Sequence, residues 1–224
     1  MNLKKLCCLL LSAATVAVFA PAAVAAKPTA ATSSTTVLTS AVASVKAEKT
    51  VKQYTVSHSG QKIAFIKKGT GDAFALCVMT VADKKLIKVA KLSGMLYDPK
   101  WSYDDKYLSV EDGTAVTKVT HIVTVSTLRN RWAVQNTGMV WAKKSESIAF
   151  SVVNPSVKQV VETELDGATD VIVYNIDTIK YKRIIKADAR YDYQPAKLDG
   201  TELTVKRSSL VGGKIVMLNY SITK

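Results

Sequence analysis

From Tyr54 onward the apolar residues fall in short runs, broken by clusters of Gly, Asp, Asn and Lys. Lys62 to Lys67, Phe74 to Val81, His121 to Val125, Val171 to Ile176 and Lys214 to Tyr220 are rich in β-branched and aromatic residues. Runs of this length bounded by turn formers predict strands, and no long helical period competes with them. The chain is therefore expected to be all-β beyond its first fifty residues.

The runs repeat. Val56, Trp101, Trp141 and Ala196 each stand seven residues before the first apolar residue of a following strand, namely Ile63, Leu108, Ile148 and Leu203. Between anchor and strand lies a short polar turn, with Gly60, Asp104-Asp105 and Asp199-Gly200 supplying residues that tolerate positive φ. Two further strands complete a unit: His121 to Val125 and Trp132 to Gln135 in the second, Val171 to Ile176 and Lys182 to Lys186 in the third. The anchors are spaced 45, 40 and 55 residues apart, a period of stacked supersecondary units. A four-stranded unit must bury its faces on its neighbours, as in a β-propeller. The expected repeats run over 54–92, 93–136, 137–190 and 191–224, within one domain at 51–224. The four anchors are expected to be core residues.

The start of the chain reads differently. Lys4 and Lys5 precede an uncharged apolar run from Leu6 to Phe19, and Ala23-Val24-Ala25-Ala26 offers small residues for a peptidase. This is the pattern of a cleavable secretory signal over residues 1–26, too short to span a bilayer before Pro21. Export to the cell exterior, periplasm or envelope is the expected localisation. Residues 27–50, rich in Ala, Thr, Ser and Val, are expected to be a flexible stalk. A helix over Val37 to Lys49 is the weaker reading, because β-branched residues and hydroxyl side chains are poor helix formers.

Trp101-Ser102-Tyr103-Asp104-Asp105-Lys106-Tyr107-Leu108 and Ser57-His58-Ser59-Gly60-Gln61-Lys62-Ile63-Ala64-Phe65 resemble the turn and strand of the WD40-like β-propeller repeat of TolB-type periplasmic proteins. Leu76 to Val81 and Val171 to Asp177 are similar to that repeat's third strand. The likeness runs over about 54–220. It implies a four-repeat β-propeller-like array, either a small four-bladed ring, an open arc, or two arcs paired as a homodimer through an open edge. Such propellers usually have more blades, and the α/β domain of TolB-type proteins has no counterpart in residues 27–50. A TolB-like transport role therefore does not carry over.

Composition narrows the function. The whole chain carries a formal charge of +13, of which +11 remains after Lys4 and Lys5 are removed with the signal. A basic exported protein points to an anionic neighbour, either a protein or an envelope polymer. Nucleic acid is not expected, since no helix carries a basic stripe. The first repeat holds seven lysines against Asp72 and Asp83. Within it Lys67, Lys68, Lys84 and Lys85 lie at strand ends and are the candidate contact for the anionic partner. Chemistry is sparse. The two histidines, His58 and His121, and Cys77 form no zinc or copper spacing, and no Gly-x-Ser-x-Gly elbow or phosphate loop occurs. No catalytic residue, metal or cofactor is expected, and peripheral membrane contact is the most the chain suggests. The leading expectation is a non-enzymatic binding or scaffold module. A carbohydrate lyase or hydrolase on a propeller scaffold is the alternative. Trp101 and Trp141 are expected in the core, and Trp132 at the surface.

Overall fold

The computed structural model describes residues 34–222 except 70, 72, 114–117, 164 and 166. The expected signal at 1–26 and the first part of the expected stalk lie outside these residues. One helix, α1 (Ser34–Ala47), precedes the strands. Blade 1 is the sheet of β1 (Val51–Val56), β2 (Lys62–Lys68), β3 (Phe74–Thr80) and β4 (Leu86–Gly94). Blade 2 holds β5 (Leu96–Trp101), β6 (Tyr107–Asp112), β7 (Lys118–Thr124) and β8 (Arg129–Asn136). Blade 3 holds β9 (Gly138–Trp141), β10 (Ser147–Asn154), β11 (Ala168–Asn175) and β12 (Lys180–Ile185). Blade 4 is three-stranded, with β13 (Tyr191–Asp199), β14 (Glu202–Ser209) and β15 (Ile215–Ser221). Within each blade the strands follow in chain order, every neighbour antiparallel.

Three anchors sit where the repeat pattern puts them. Val56 pairs with Ile63, Trp101 with Leu108 and Trp141 with Ile148. Each hairpin closes with the same backbone bond, from Ser57 N–H to the Lys62 carbonyl, Ser102 to Tyr107, and Ala142 to Ser147. Gly60 (φ 71°) and Asp105 (φ 60°) occupy the same left-handed turn position, four residues past their anchors.

The fourth anchor is a correction. Ala196 is exposed and sits in a bulge between Pro195 and Lys197, and the residue that pairs with Leu203 is Leu198, 2% exposed. Pro195 has no N–H to give the ladder, so the register slips there. The hairpin then turns more tightly, through Gly200 and Thr201 between Asp199 and Glu202.

Stacking follows one rule. The side chain seven residues past each anchor faces the element before its blade. Leu108 packs among blade 1 residues, Ile148 among those of blade 2, and Leu203 among those of blade 3. Ile63 of blade 1 obeys the same rule, and the element before it is α1. The expectation of a flexible stalk therefore fails over 34–47. Leu38, Ala41, Val42 and Val45 form a helical stripe, and Ala41 and Val45 are buried against Ile63, Phe65, Cys77 and Met79. Burial of this stripe outweighs the weak intrinsic propensity, as it does for most protein helices.

Among the described residues the array is an open arc. In a ring, blade 4 would pack on the face of blade 1 that α1 covers. Strand β1 pairs with β2 inside its own blade. Of the tryptophans, Trp101 is buried and Trp141 half-buried. Trp132 does not stand at the surface as expected. It lies half-buried between blades 2 and 3, stacked on Tyr174 at 4.8 Å and edge-on to Phe150 at 5.7 Å.

Candidate functional site

Because the innermost strands β1, β5 and β9 all end at their anchors, Val56, Trp101 and Trp141 converge at one end of the arc. Between them opens a cleft of about 620 Å³, lined also by Thr55, His58, Lys100, Tyr103, Met139, Lys143 and Lys144. Its floor is held by two indole bonds. Trp101 Nε1 donates to the Thr55 carbonyl at 3.3 Å, and Trp141 Nε1 donates to Ser109 Oγ at 2.8 Å. Both bonds cross from one blade to the next, so the aromatic faces are fixed by the stacking.

The rim is braced through the hairpin tips. The Asp105 carboxylate of blade 2 accepts from the backbone N–H groups of His58 and Ser59 of blade 1, both at 2.8 Å. Glu146 of blade 3 accepts from Tyr103 Oη and Lys106 Nζ of blade 2, both at 3.1 Å. Lys143 of blade 3 donates its N–H to the Leu198 carbonyl of blade 4 at 3.1 Å. The hydrogen bond to Glu146 raises the Tyr103 phenol's pKa, and its bonds to Asp104 and Glu146 raise that of Lys106. Tyr103 thus stays a protonated donor, and Lys106 stays charged, across the ordinary pH range.

Among the described residues the cleft lining contains three lysines and a histidine, and no carboxylate. Lys100 pairs with Asp98 at 2.5 Å, and Lys143 approaches Asp199 at 3.7 Å, both acids standing outside the lining. Lys144 is exposed. Flat apolar faces beside cations can hold a planar or ring-shaped group that carries negative charge.

The predicted lysine patch is not assembled. Lys68 pairs with Phe74 at one end of β2, and Lys62 pairs with Thr80 at the other, beyond which the turn carries Lys84 and Lys85. Seven strand residues separate the ends by roughly 20 Å, because consecutive hairpin turns lie at opposite ends of an antiparallel meander. Two of the four lysines hold α1 instead. Lys67 pairs with Glu48 at 2.5 Å, and Lys84 Nζ donates to Ser40 Oγ at 3.2 Å. Lys68 and Lys85 are exposed.

Lys100, Tyr103, Lys143 and Lys144 were the cleft residues that the sequence reading missed. The signal was their closeness to two anchors, just before or after Trp101 and just after Trp141. His121 is half-buried, and its ring nitrogen lies 2.9 Å from Asn130 Nδ2. Burial lowers its pKa, against a smaller opposing pull from Asp112. Among the described residues no group of three or more His, Cys, Asp or Glu side chains is placed to hold a metal ion.

The chain matches no family model and no curated protein. Its likenesses are structural. The β-propeller domain of the Trilobed protease from Pyrococcus furiosus, described as having an open velcro topology, superposes with a TM-score of 0.58 at 12% identity, over 78% of this chain and 56% of that one. Acylaminoacyl peptidase from Pyrococcus horikoshii gives 0.56 at 12% identity, over 77% of this chain and 31% of that one. TolB from Acinetobacter baumannii, at a TM-score of 0.44, 12% identity, 79% of this chain and 45% of that one, is too loosely similar to carry an argument. The chain thus spans little more than half of the first of these structures and less of the others. At such identities the likeness establishes the fold alone: this is an all-β, propeller-like array of four blades, left open.

Proposed function

We propose that this chain is a non-catalytic binding module of the cell exterior or envelope, and that it holds an anionic, sugar-containing polymer in the cleft between its innermost strands. The observation that carries the reading is the lining: Trp101, Trp141 and Tyr103 beside Lys100, Lys143, Lys144 and His58, with no carboxylate among them. The half-buried Trp141 indole and the exposed Tyr103 phenol, above a floor made by buried Trp101, suit the flat faces of sugar rings, and the lysines suit carboxylate or phosphate groups along the polymer. The basic charge of the whole chain would draw such a polymer in. Export rests on the signal-like pattern at Lys4 to Ala26. Among the described residues no helix is long and apolar enough to cross a membrane.

The test is a titration with a defined uronic-acid oligomer, read by tryptophan fluorescence. Two of the chain's three tryptophans line the cleft, so their emission should respond. Affinity is expected to fall as the Debye length shrinks from about 10 Å at 0.1 M salt to about 3 Å at 1 M. It is expected to fall severalfold in Lys143→Gln with Lys144→Gln, while Lys68→Gln with Lys85→Gln, an equal loss of charge away from the cleft, leaves it unchanged. Equal losses in both pairs, or no binding by the wild type, overturn the assignment to the cleft.

A further inference from the structure

The outermost strands of blades 1 to 3 carry basic guards: Lys88 in β4, Arg129 and Arg131 in β8, Lys180, Lys182 and Arg183 in β12. Long basic side chains on an edge strand are a common device against pairing with another chain. Among the described residues the last strand of blade 4 is β15, Ile215-Val216-Met217-Leu218-Asn219-Tyr220-Ser221, which carries no charge and no proline. By its place in the meander β15 is a third strand, equivalent to β3, β7 and β11, each of which has a fourth strand beside it. Its side chains alternate between half-buried and exposed, with Ile215 57% and Met217 53% exposed.

Among the described residues only β14 pairs with β15, and the backbone groups on its other side can be assigned. Lys214 accepts from Ser209 N–H, and Ile222 donates to the Thr201 carbonyl, so the even-numbered residues bond to β14. Ladder groups alternate in direction along an antiparallel strand, and the register of β14 with β15 has no shift. The N–H and C=O groups of Ile215, Met217, Asn219 and Ser221 therefore point to the open edge.

We propose that this edge pairs with β15 of a second copy of the chain, antiparallel about a twofold axis, with Leu218 opposite Leu218. That register sets Met217 opposite Asn219 and Ile215 opposite Ser221 as hydrogen-bonded pairs, so every free ladder group finds a partner. It also keeps Val216, Leu218 and Tyr220 of both copies on one face, the face that packs on blade 3, giving one continuous six-stranded sheet. The contact is isologous, as a closed dimer requires. Charge selects the site. Two copies of a chain at +13 repel each other over most of their surfaces, and β15 is the edge where no like charges meet.

The experiment is sedimentation equilibrium of the full chain over a concentration series into the millimolar range. The wild type is expected to double in mass as concentration rises. Met217→Pro removes an edge-facing N–H without touching the ladder to β14, a position where an edge strand tolerates proline. Met217→Lys adds the missing guard. Both are expected to stay monomeric, with circular dichroism and melting temperature close to wild type. Tyr181→Lys on the guarded β12 edge should dimerise as wild type does. Register is read by oxidation. Leu218→Cys is expected to crosslink to its own copy, and Ile215→Cys, roughly 20 Å from its equivalent in this register, is not. A wild type that stays monomeric throughout, even one whose edge captures a strand of another protein, overturns the proposal. So does a dimer that survives both Met217 variants with the fold intact, or one in which Ile215→Cys crosslinks and Leu218→Cys does not.

Discussion

Blade 1 presents Ile63, Phe65, Cys77 and Met79 toward the start of the array, all of them buried beneath α1. Blade 4 presents Thr204, Lys206 and Ser208 toward its end, with Asn219 and Ser221 beside them, and none of these is buried. The Thr204 hydroxyl donates to Asn219 Oδ1 across the strands at 2.9 Å. A blade normally buries both faces on its neighbours, and an open array must end two of them. One end is covered by an amphipathic helix that stands in for a preceding blade. The other is mostly polar side chains that water can satisfy, with Ile215 and Met217 exposed among them. Each end face is finished in its own way, by a helix at one end and by mainly polar residues at the other, while the last strand edge carries no basic guard.

The difference between the ends can be broken most strongly at Phe65. Truncation of this buried aromatic to Ala should cost roughly 3–5 kcal/mol in denaturant unfolding, whereas Lys206→Ala, on the polar end face, should stay within about 0.5 kcal/mol. Equal losses at the two positions would show that the fourth blade's outer face is covered after all. A smaller effect is expected from Ala41→Asp. A carboxylate placed in the α1 interface should cost roughly 1–3 kcal/mol and release the helix before the blades unfold. Amide exchange should then rise across Ser34 to Ala47, with binding of an apolar dye to the uncovered face. Exchange unchanged in α1 would mean that the helix contributes nothing to closing this end.

The smallest effect is a pH dependence confined to the covered end. Hydrogen bonds from Lys67 and Thr50 lower the Glu48 carboxyl's pKa from its ordinary value of 4.5. A lowered carboxylate stabilises the folded state above its ordinary pKa and loses that contribution as pH falls through the lowered value. Lys67 and Glu48 keep 34% and 38% of their side chains exposed, so screening keeps the contribution modest. Protection of the last turn of α1, its exchange rate taken against the intrinsic rate at the same pH, should therefore fall below about pH 4.5, and Glu48→Gln should show the low protection at every pH. Blade 4's end should show no matching step. A wild-type helix end whose protection is the same on both sides of that pH would count against the Lys67–Glu48 tether.

Several parts of this architecture were legible because they depend on neighbouring residues. The seven-residue offset from Val56, Trp101 and Trp141 to the next strand is the geometry of a hairpin, with the turn position marked by Gly60 and Asp105. Other parts were illegible because distant contacts decide them. The 34–47 segment looked too rich in β-branched and hydroxyl residues for a helix, and only the apolar face of blade 1 makes that helix worthwhile. Lys67-Lys68 and Lys84-Lys85 looked like one patch until strand direction sent them to opposite ends. Ala196 met the spacing rule but lost its place to Leu198, because Pro195 interrupts the ladder beside it.

The sequence by itself determined the strands, the repeat and the turns, since alternation, Gly and Asp act over a few residues. Only the tertiary structure decided that the array stays open, that a helix occupies the place of a blade, and that Trp101, Trp141 and the flanking lysines line one cleft. Those outcomes depend on which faces meet. A face carries no record of its partner in its own residues until the stacking order brings the two together.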